Sequence, residues 1–266
     1  MTRRIIYGID FTSRPTRSKP ITCVKTRLSG QSLSFEHLES WTSFSEFEAF
    51  LERDGPWIAG LDFPFGQARR FLENMRWPTE WPGYAERVAG MTRPEFRELL
   101  DDYRRDREPG DKEHKRETDR LTGAVSSQKL YGVPVALMFY EGVPRLWRSP
   151  VSIPLLRPTL DSRVALEAYP GVLARELIGR RPYKQDVRDK QSEAQRVARE
   201  DLCNALRNGG GGLEVEVPDS LVDDPKADTL DALLCAVQAA KAAAAPDYGI
   251  PDDADPAEGW IASSVR

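Results

Sequence analysis

The chain has 266 residues, of which 40% are hydrophobic and 30% are charged, and its formal net charge is −4. This length and composition allow one large domain with a packed core. The acidic balance argues against a protein that wraps DNA regardless of sequence, because such binding places many Lys and Arg side chains on phosphates. No apolar run approaches the roughly 20 residues that cross a bilayer.

Three cysteines, Cys23, Cys203 and Cys235, lie far apart in the sequence. They form no CxxC pair, so they predict neither a zinc site nor a disulfide framework. Free thiols are typical of proteins in a reducing compartment. The apolar stretch 5–7 is too short for a signal peptide. We therefore expect a cytoplasmic protein without a membrane segment.

The first quarter of the chain alternates between strand and helix patterns. Strand patterns occupy residues 4–10, 20–27, 32–38 and 57–63. A turn signal at 29–31 joins the second and third strands, so the first three should form an antiparallel meander. Apolar residues at helical spacing predict a helix over 43–53. The first and fourth strands each end in an acidic residue.

The rest of the chain contains a charged segment and several further elements. Residues 93–120 are dense in charges of both signs, which predicts solvated helices within a helical insertion or cap over 76–130 that projects from a single domain spanning 1–266. Strand patterns follow at 134–140 and 164–169, and helix patterns at about 67–76, 172–179, 188–207 and 225–245.

Five carboxylates lie where chemistry could use them. Asp10 and Asp62 end predicted strands, Glu167 lies near the end of another, and Asp228 and Asp231 share one face of the last helix. Sites in open α/β sheets form outside the carboxyl ends of strands. Converging carboxylates raise each other's pKa values, and bound Mg²⁺ or Mn²⁺ removes that cost. Two such ions about 3.5–4 Å apart can clamp a phosphoryl displacement.

Each acid also has an ordinary structural interpretation. An aspartate at a strand end often caps a turn or the next helix. Acids in the first turn of a helix, such as Asp228 and Asp231, interact favourably with the helix dipole. Glu167 could equally be the partner of a structural salt bridge. The hypothesis of a metal site depends on the joint occurrence of these residues.

A set of short motifs carries a resemblance to a known family. The motifs are GID at 8–10, LDFP at 61–64, EAYP at 167–170, DTLDAL at 228–233 and EGWI at 258–261. In this order they resemble domain-of-unknown-function family 429, regarded as predicted nucleases of the ribonuclease H-like superfamily. The resemblance spans nearly the whole chain and is weakest over 76–130. It implies an α/β fold whose mixed sheet combines an antiparallel three-strand meander with parallel strands, flanked by helices.

The resemblance also implies roles for the acids. The DxxD of the last helix is similar to that of Holliday-junction resolvases, which makes Asp10, Asp62, Asp228 and Asp231 candidate catalytic residues and ligands of Mg²⁺ or Mn²⁺. Glu167 matches the family motif and is a fifth candidate ligand, without a counterpart in the resolvases.

Basic residues are concentrated over 180–199. Lys184 and Arg188 fall in this segment, which looks like the basic segment of the same family. They lie just before or at the start of a predicted helix, where phosphate also meets backbone N–H groups. We therefore select them as candidate phosphate-binding residues, although a solvated helix face has the same composition.

Three functions fit these patterns. The first is metal-dependent phosphodiester hydrolysis by a nuclease that acts on a short or structured nucleic acid. The second is a nucleotide-binding phosphotransferase of the sugar-kinase or actin-like kind, which normally needs Gly-rich phosphate loops that this chain lacks. The third is a non-catalytic binding protein on a nuclease-like fold. A Ser-His-Asp hydrolase is disfavoured, because the chain has only His37 and His114 and no GxSxG motif.

Overall fold

A computed structural model describes residues 3–262 and contains a six-stranded mixed sheet. The strands are β1 (Arg4–Asp10), β2 (Ile21–Ser29), β3 (Ser32–Trp41), β4 (Trp57–Leu61), β5 (Arg163–Glu167) and β6 (Glu214–Val215). Their order across the sheet is β5-β4-β1-β2-β3-β6. Strands β1, β2 and β3 form an antiparallel meander, and the pairs β1–β4, β4–β5 and β3–β6 are parallel. The predicted α/β class and the meander are confirmed.

Helices cover both faces of this sheet. They are α1 (Phe44–Leu51), α2 (Arg69–Asn74), α3 (Trp81–Ala89), α4 (Arg93–Arg105), α5 (Glu117–Thr122), α6 (Val135–Arg148), α7 (Pro170–Ile178), α8 (Glu193–Arg207) and α9 (Asp228–Ala244). The buried residues of α7, α8 and α9 share one hydrophobic core, and those of α1, α2, α3, α4 and α6 share the other. Across residues 3–262, no helix is both long and apolar enough to cross a membrane.

The prediction of a strand at 134–140 is wrong, because this segment begins α6. A short apolar run looks the same in a buried strand and in a buried helix, and only its continuation separates the two. Here burial at Ala136, Phe139, Val143 and Leu146 continues at helical spacing beyond the predicted strand.

The start of α8 also differs from the prediction of a helix over 188–207. The helix begins at Glu193, and the hydroxyl of Ser192 accepts a hydrogen bond from the backbone N–H of Gln195 as its N-cap. Residues Arg188–Lys190 form a separate single turn of 3-10 helix. Arg188 is therefore not at the start of the long helix.

The segment 76–130 packs onto the core and does not project from it. Trp81 is 1% exposed, and its indole N–H donates to the carbonyl of Phe65 at 2.7 Å. Tyr84 and Phe96 are fully buried in the same core, and both stack against Phe139 of α6. The predicted helices exist, and they form a cap on one face of the sheet.

Strand alternation decides which side chains of β1 face α9. Ile6 belongs to the core beneath α9, whereas Tyr7 and Ile9 belong to the opposite core. Because successive side chains of a strand point to opposite faces, Gly8 and Asp10 lie on the same side as Ile6. The acid at the end of β1 therefore points toward α9.

Helix α9 lies directly on two paired glycines. Gly8 of β1 and Gly60 of β4 are opposite each other in the parallel register. A Cβ atom at Gly8 would lie 1.9 Å from the carbonyl oxygen of Ala232, and one at Gly60 would lie 2.4 Å from that of Cys235. Only glycine permits this approach of helix backbone to sheet.

Candidate functional site

Asp10 and Asp62 lie side by side at the carboxyl ends of β1 and β4. Ile9 pairs with Leu61 in the parallel register, and the backbone N–H of Asp62 donates to the carbonyl of Ile9 at 2.9 Å. Asp10 is the last residue of β1 and Asp62 directly follows β4, so both acids lie at the same level of the sheet and on the side of α9. Asp10 is buried, with 8% of its surface exposed, and Asp62 is partly exposed.

Asp228 and Asp231 reach the same edge from the first turn of α9. The turn begins at Ala227, whose φ of 59° is left-handed and whose carbonyl accepts from the backbone N–H of Asp231 at 2.8 Å. Asp231 is 1% exposed and directly precedes Ala232, which contacts Gly8. The contact of α9 with the glycines thus holds both acids beyond the strand ends.

The four acids form one electrostatic cluster. Burial raises the pKa of Asp10 well above its usual range, and the charges of Asp231, Asp62 and Asp228 raise it further. Burial is also the main cause that raises the pKa of Asp62 to about 7, and Asp231 adds to it. The structure therefore brings together the four aspartates that the sequence selects.

Two lysines lie against the acids of α9. The ammonium group of Lys184 forms an ion pair with one carboxylate oxygen of Asp231, and the hydroxyl of Tyr183 donates to the other at 2.6 Å. Lys19, in the loop between β1 and β2, donates to Asp228 at 2.6 Å. Lys184 is thus at the site, as the sequence predicts, whereas Lys19 and Tyr183 are additional residues that sequence reasoning missed.

The carboxylates keep the lysines charged. Burial alone would lower the pKa of Lys184, but Asp231, Asp10 and Asp62 together raise it above its usual value. The pKa of Lys19 is raised in the same way, because Asp228 and Asp10 outweigh the effect of burial.

Glu167 has a different set of partners from the aspartates. Within β5, Val164 and Leu166 belong to the core beneath α9 and Ala165 to the opposite core, so alternation directs Glu167 away from α9. Its two carboxylate oxygens accept hydrogen bonds from Arg116 at 2.6 and 2.8 Å, and one also accepts from the backbone N–H of Phe65 at 2.9 Å. Glu167 is still close enough to contribute to the raised pKa of Asp62.

Arg116 links Glu167 to the cap. Its guanidinium also donates to Asp119 of α5 at 2.7 Å, and all three side chains are at most 3% exposed. A buried charge needs such pairing, since an isolated one would be costly. This ion triad gives Glu167 a structural role, and its role as a metal ligand stays a prediction.

Glu258 of the EGWI motif joins the ends of two helices. Its carboxylate accepts hydrogen bonds from the backbone N–H of Arg69 in α2 at 2.9 Å and of Glu117 in α5 at 2.8 Å. Both groups are at helix N-termini, where N–H donors have no partner within the helix. The motif therefore holds the tail against the cap.

The donor set of the cluster suits a hard divalent cation, which prefers carboxylate oxygens. Asp10 is buried and, within the described part of the chain, accepts no hydrogen bond on its carboxylate, so it faces the cluster without a direct partner. Asp228 and Asp231 are turned toward their lysines. Among residues 3–262, no three His, Cys, Asp or Glu side chains form a group with the geometry of a metal site.

Arg188, the second predicted phosphate-binding residue, is exposed and lies in the 3-10 turn, four residues after Lys184. The structure gives it no contact with the acids, and its role stays a prediction. The ion pair of Lys19 with Asp186 at 3.7 Å nevertheless places the 184–188 segment beside the cluster.

No protein-family model, curated protein or solved structure matches this chain.

Proposed function

We propose that the protein is a Mg²⁺- or Mn²⁺-dependent phosphodiesterase, a nuclease on a ribonuclease H-like fold. The observation that carries the proposal is the convergence of four aspartates at one sheet edge, with Asp10 buried there without a hydrogen bond. Lys19 and Lys184 pair with Asp228 and Asp231, but Asp10 lies among like charges without a hydrogen bond of its own, and a structural role explains that position poorly.

The topology supports the fold assignment. The resemblance to family 429 implies a mixed sheet that combines an antiparallel meander with parallel strands, flanked by helices, and the chain has such a sheet. The acids come from the ends of β1 and β4 and from α9, the same elements that carry the family's motifs. The coincidence of motif and position favours the ribonuclease H-like assignment.

The residues of the site divide into two groups. Asp10, Asp62, Asp228 and Asp231 would hold the cation, and Tyr183 orients the carboxylate of Asp231 through its hydroxyl. A bound Mg²⁺ or Mn²⁺ would stabilise the charge that develops on phosphate and lower the pKa of an attacking water. Lys19 and Lys184 are charged and lie beside the acids, where they would bind a substrate phosphate.

Mn²⁺ binding to the metal-free protein, measured by calorimetry, tests the proposal. We expect the wild type to bind in the micromolar-to-millimolar range and Asp10→Asn to lose binding. Asp252→Asn, which removes the same charge from an exposed position in the tail, should bind like the wild type. Cleavage of single-stranded, duplex and branched DNA and RNA would then be compared with Mn²⁺ and with EDTA.

Loss of cleavage in Asp10→Asn, with activity kept in Asp252→Asn, would support the nuclease. Metal binding without cleavage of any substrate would favour the non-catalytic binding protein. A wild type that binds no Mn²⁺, even with nucleic acid present, would refute the metal site.

A further inference from the structure

The lysines of the site come from two separate loops and meet different acids. Lys184 directly follows Tyr183 in the segment after α7, and its ammonium group contacts Asp231. Lys19 ends a short turn after β1, where the backbone N–H of Thr16 donates to the carbonyl of Lys19 at 3.0 Å. Its ammonium group contacts Asp228 at 2.6 Å and Asp186 at 3.7 Å.

Each ammonium group balances more than one carboxylate. The charge of Lys184 lowers the pKa values of Asp10 and Asp62 as well as pairing with Asp231. Asp10 in turn helps to raise the pKa of Lys19. The two lysines therefore supply positive charge at the acids that would hold the metal.

The lysines are far more exposed than the acids that they contact. The side chain of Lys184 is 50% exposed and that of Lys19 is 39% exposed, against 1% for Asp231 and 13% for Asp228. A lysine has a flexible four-carbon stem that lets its ammonium group take several positions. Both acids belong to the first turn of α9, which is fixed on the sheet.

We propose that Lys184 and Lys19 are exchangeable counter-ions that occupy cation positions among the aspartates and leave them when a divalent metal binds. This inference rests on the proposed function and adds a regulatory step to it. Exchange frees two ammonium groups beside the loaded site, where they can bind the phosphate of a substrate. In the metal-free protein the two lysines balance the charge of the buried carboxylates, and in the metal-bound protein they can contact a phosphate.

Mn²⁺ calorimetry on the metal-free protein at about pH 8 tests the exchange. Lys184→Met keeps the apolar stem and removes the competing charge, so we expect Mn²⁺ to bind about tenfold more tightly than to the wild type. Lys190→Met makes the same change at an exposed lysine of the neighbouring 3-10 turn, and it controls for net charge. Its affinity should stay within about twofold of the wild type.

Thermal unfolding gives a second readout. Without metal, Lys184→Met should unfold about 5 °C below the wild type, because Asp231 has lost its counter-ion. Saturating Mn²⁺ should remove most of that difference. Lys19→Met, at Asp228, tests the exchange independently if Lys184→Met does not fold.

The outcomes separate the two proposals. A wild type that binds Mn²⁺, with equal or weaker binding by Lys184→Met and Lys19→Met, would overturn the exchange and leave the metal site intact. Tighter binding by both lysine variants, with Lys190→Met unchanged, would support it. Absence of Mn²⁺ binding in the wild type and in every variant, even with nucleic acid present, would overturn both proposals.

Discussion

Replacing Asp62 by Asn should make the metal-free protein more stable at alkaline pH. The carboxyl group of Asp62 has a pKa of about 7 in the folded protein, chiefly because of burial, against 3.8 as its ordinary value. A group with a raised pKa in the fold contributes stability that is complete below the unfolded pKa and is lost as the pH rises through the folded pKa. The relevant window for Asp62 therefore runs from about pH 4 to about pH 7.

The magnitude follows from the two pKa values. Between about pH 5 and about pH 8, this one group lowers the free energy of unfolding by about 2–3 kcal/mol. Asn at position 62 has no such titration, and its neutrality also relieves Asp10. The wild type should thus lose more stability than Asp62→Asn over this interval.

Urea denaturation of both proteins in EDTA, at the two pH values, measures this difference. Every other titrating group is common to both chains, so the comparison isolates Asp62 and the acids coupled to it. Equal losses of stability in the two proteins, or a larger loss in Asp62→Asn, would refute the view that Asp62 is a strained member of an acid cluster.

Three further predictions concern metal binding and packing. The affinity of the wild type for Mn²⁺ should rise by about tenfold from about pH 6 to about pH 8, because Asp62 must release its proton to bind the metal. Calorimetry in buffers of different ionisation enthalpy measures the affinity and the number of protons released. An affinity that does not change with pH would contradict this prediction. Gly60→Ala should lower the free energy of unfolding by more than about 3 kcal/mol in urea denaturation, since its Cβ meets the carbonyl of Cys235. Gly110→Ala, at a position with open space and a φ of 91°, should cost about 1–2 kcal/mol, and an equal cost at both glycines would argue against the close approach. Arg116→Met should cost about 3–5 kcal/mol in the same assay, because Glu167 and Asp119 would lose their buried partner, and a loss under about 1 kcal/mol would show that the triad is not needed.

The positions of the four aspartates could be expected from the sequence for simple reasons. Strands that end in an acid place it at the sheet edge, and β1 and β4 run parallel, so Asp10 and Asp62 meet. The three-residue spacing of Asp228 and Asp231 puts both in the first turn of α9. Register and helical period suffice for this part of the site.

The side of the sheet to which the Glu167 side chain points also follows from the sequence, once positions are counted along β5. In 163–167 the residues that face α9 are the second and fourth, so the acid at the fifth position faces the other core. The motif that groups Glu167 with the aspartates carries no information about this alternation. Its partner Arg116 is 51 residues away in the sequence, in the segment with the weakest pattern.

Lys19 and Tyr183 could not be identified in advance, because they lie on loops. Loop conformation depends on tertiary contacts, such as the hydrogen bond of Tyr183 to Asp231 and the ion pair of Lys19 with Asp228. No periodic pattern encodes these contacts, whereas the adjacent Lys184 belongs to a basic segment that precedes a predicted helix.

The glycine pair under α9 also determines how accurately the acids are placed. The contact joins main-chain atoms of the helix to main-chain atoms of the sheet. Asp231 directly precedes Ala232 in the helix, and Gly8 and Gly60 lie two residues before Asp10 and Asp62 in the sheet. A separation that is set by backbone atoms does not vary with side-chain rotamers. The alignment of the acids should therefore tolerate many substitutions in the surrounding core, and it should be lost through a single added methyl group at the centre of the sheet, roughly 7 Å from the acids.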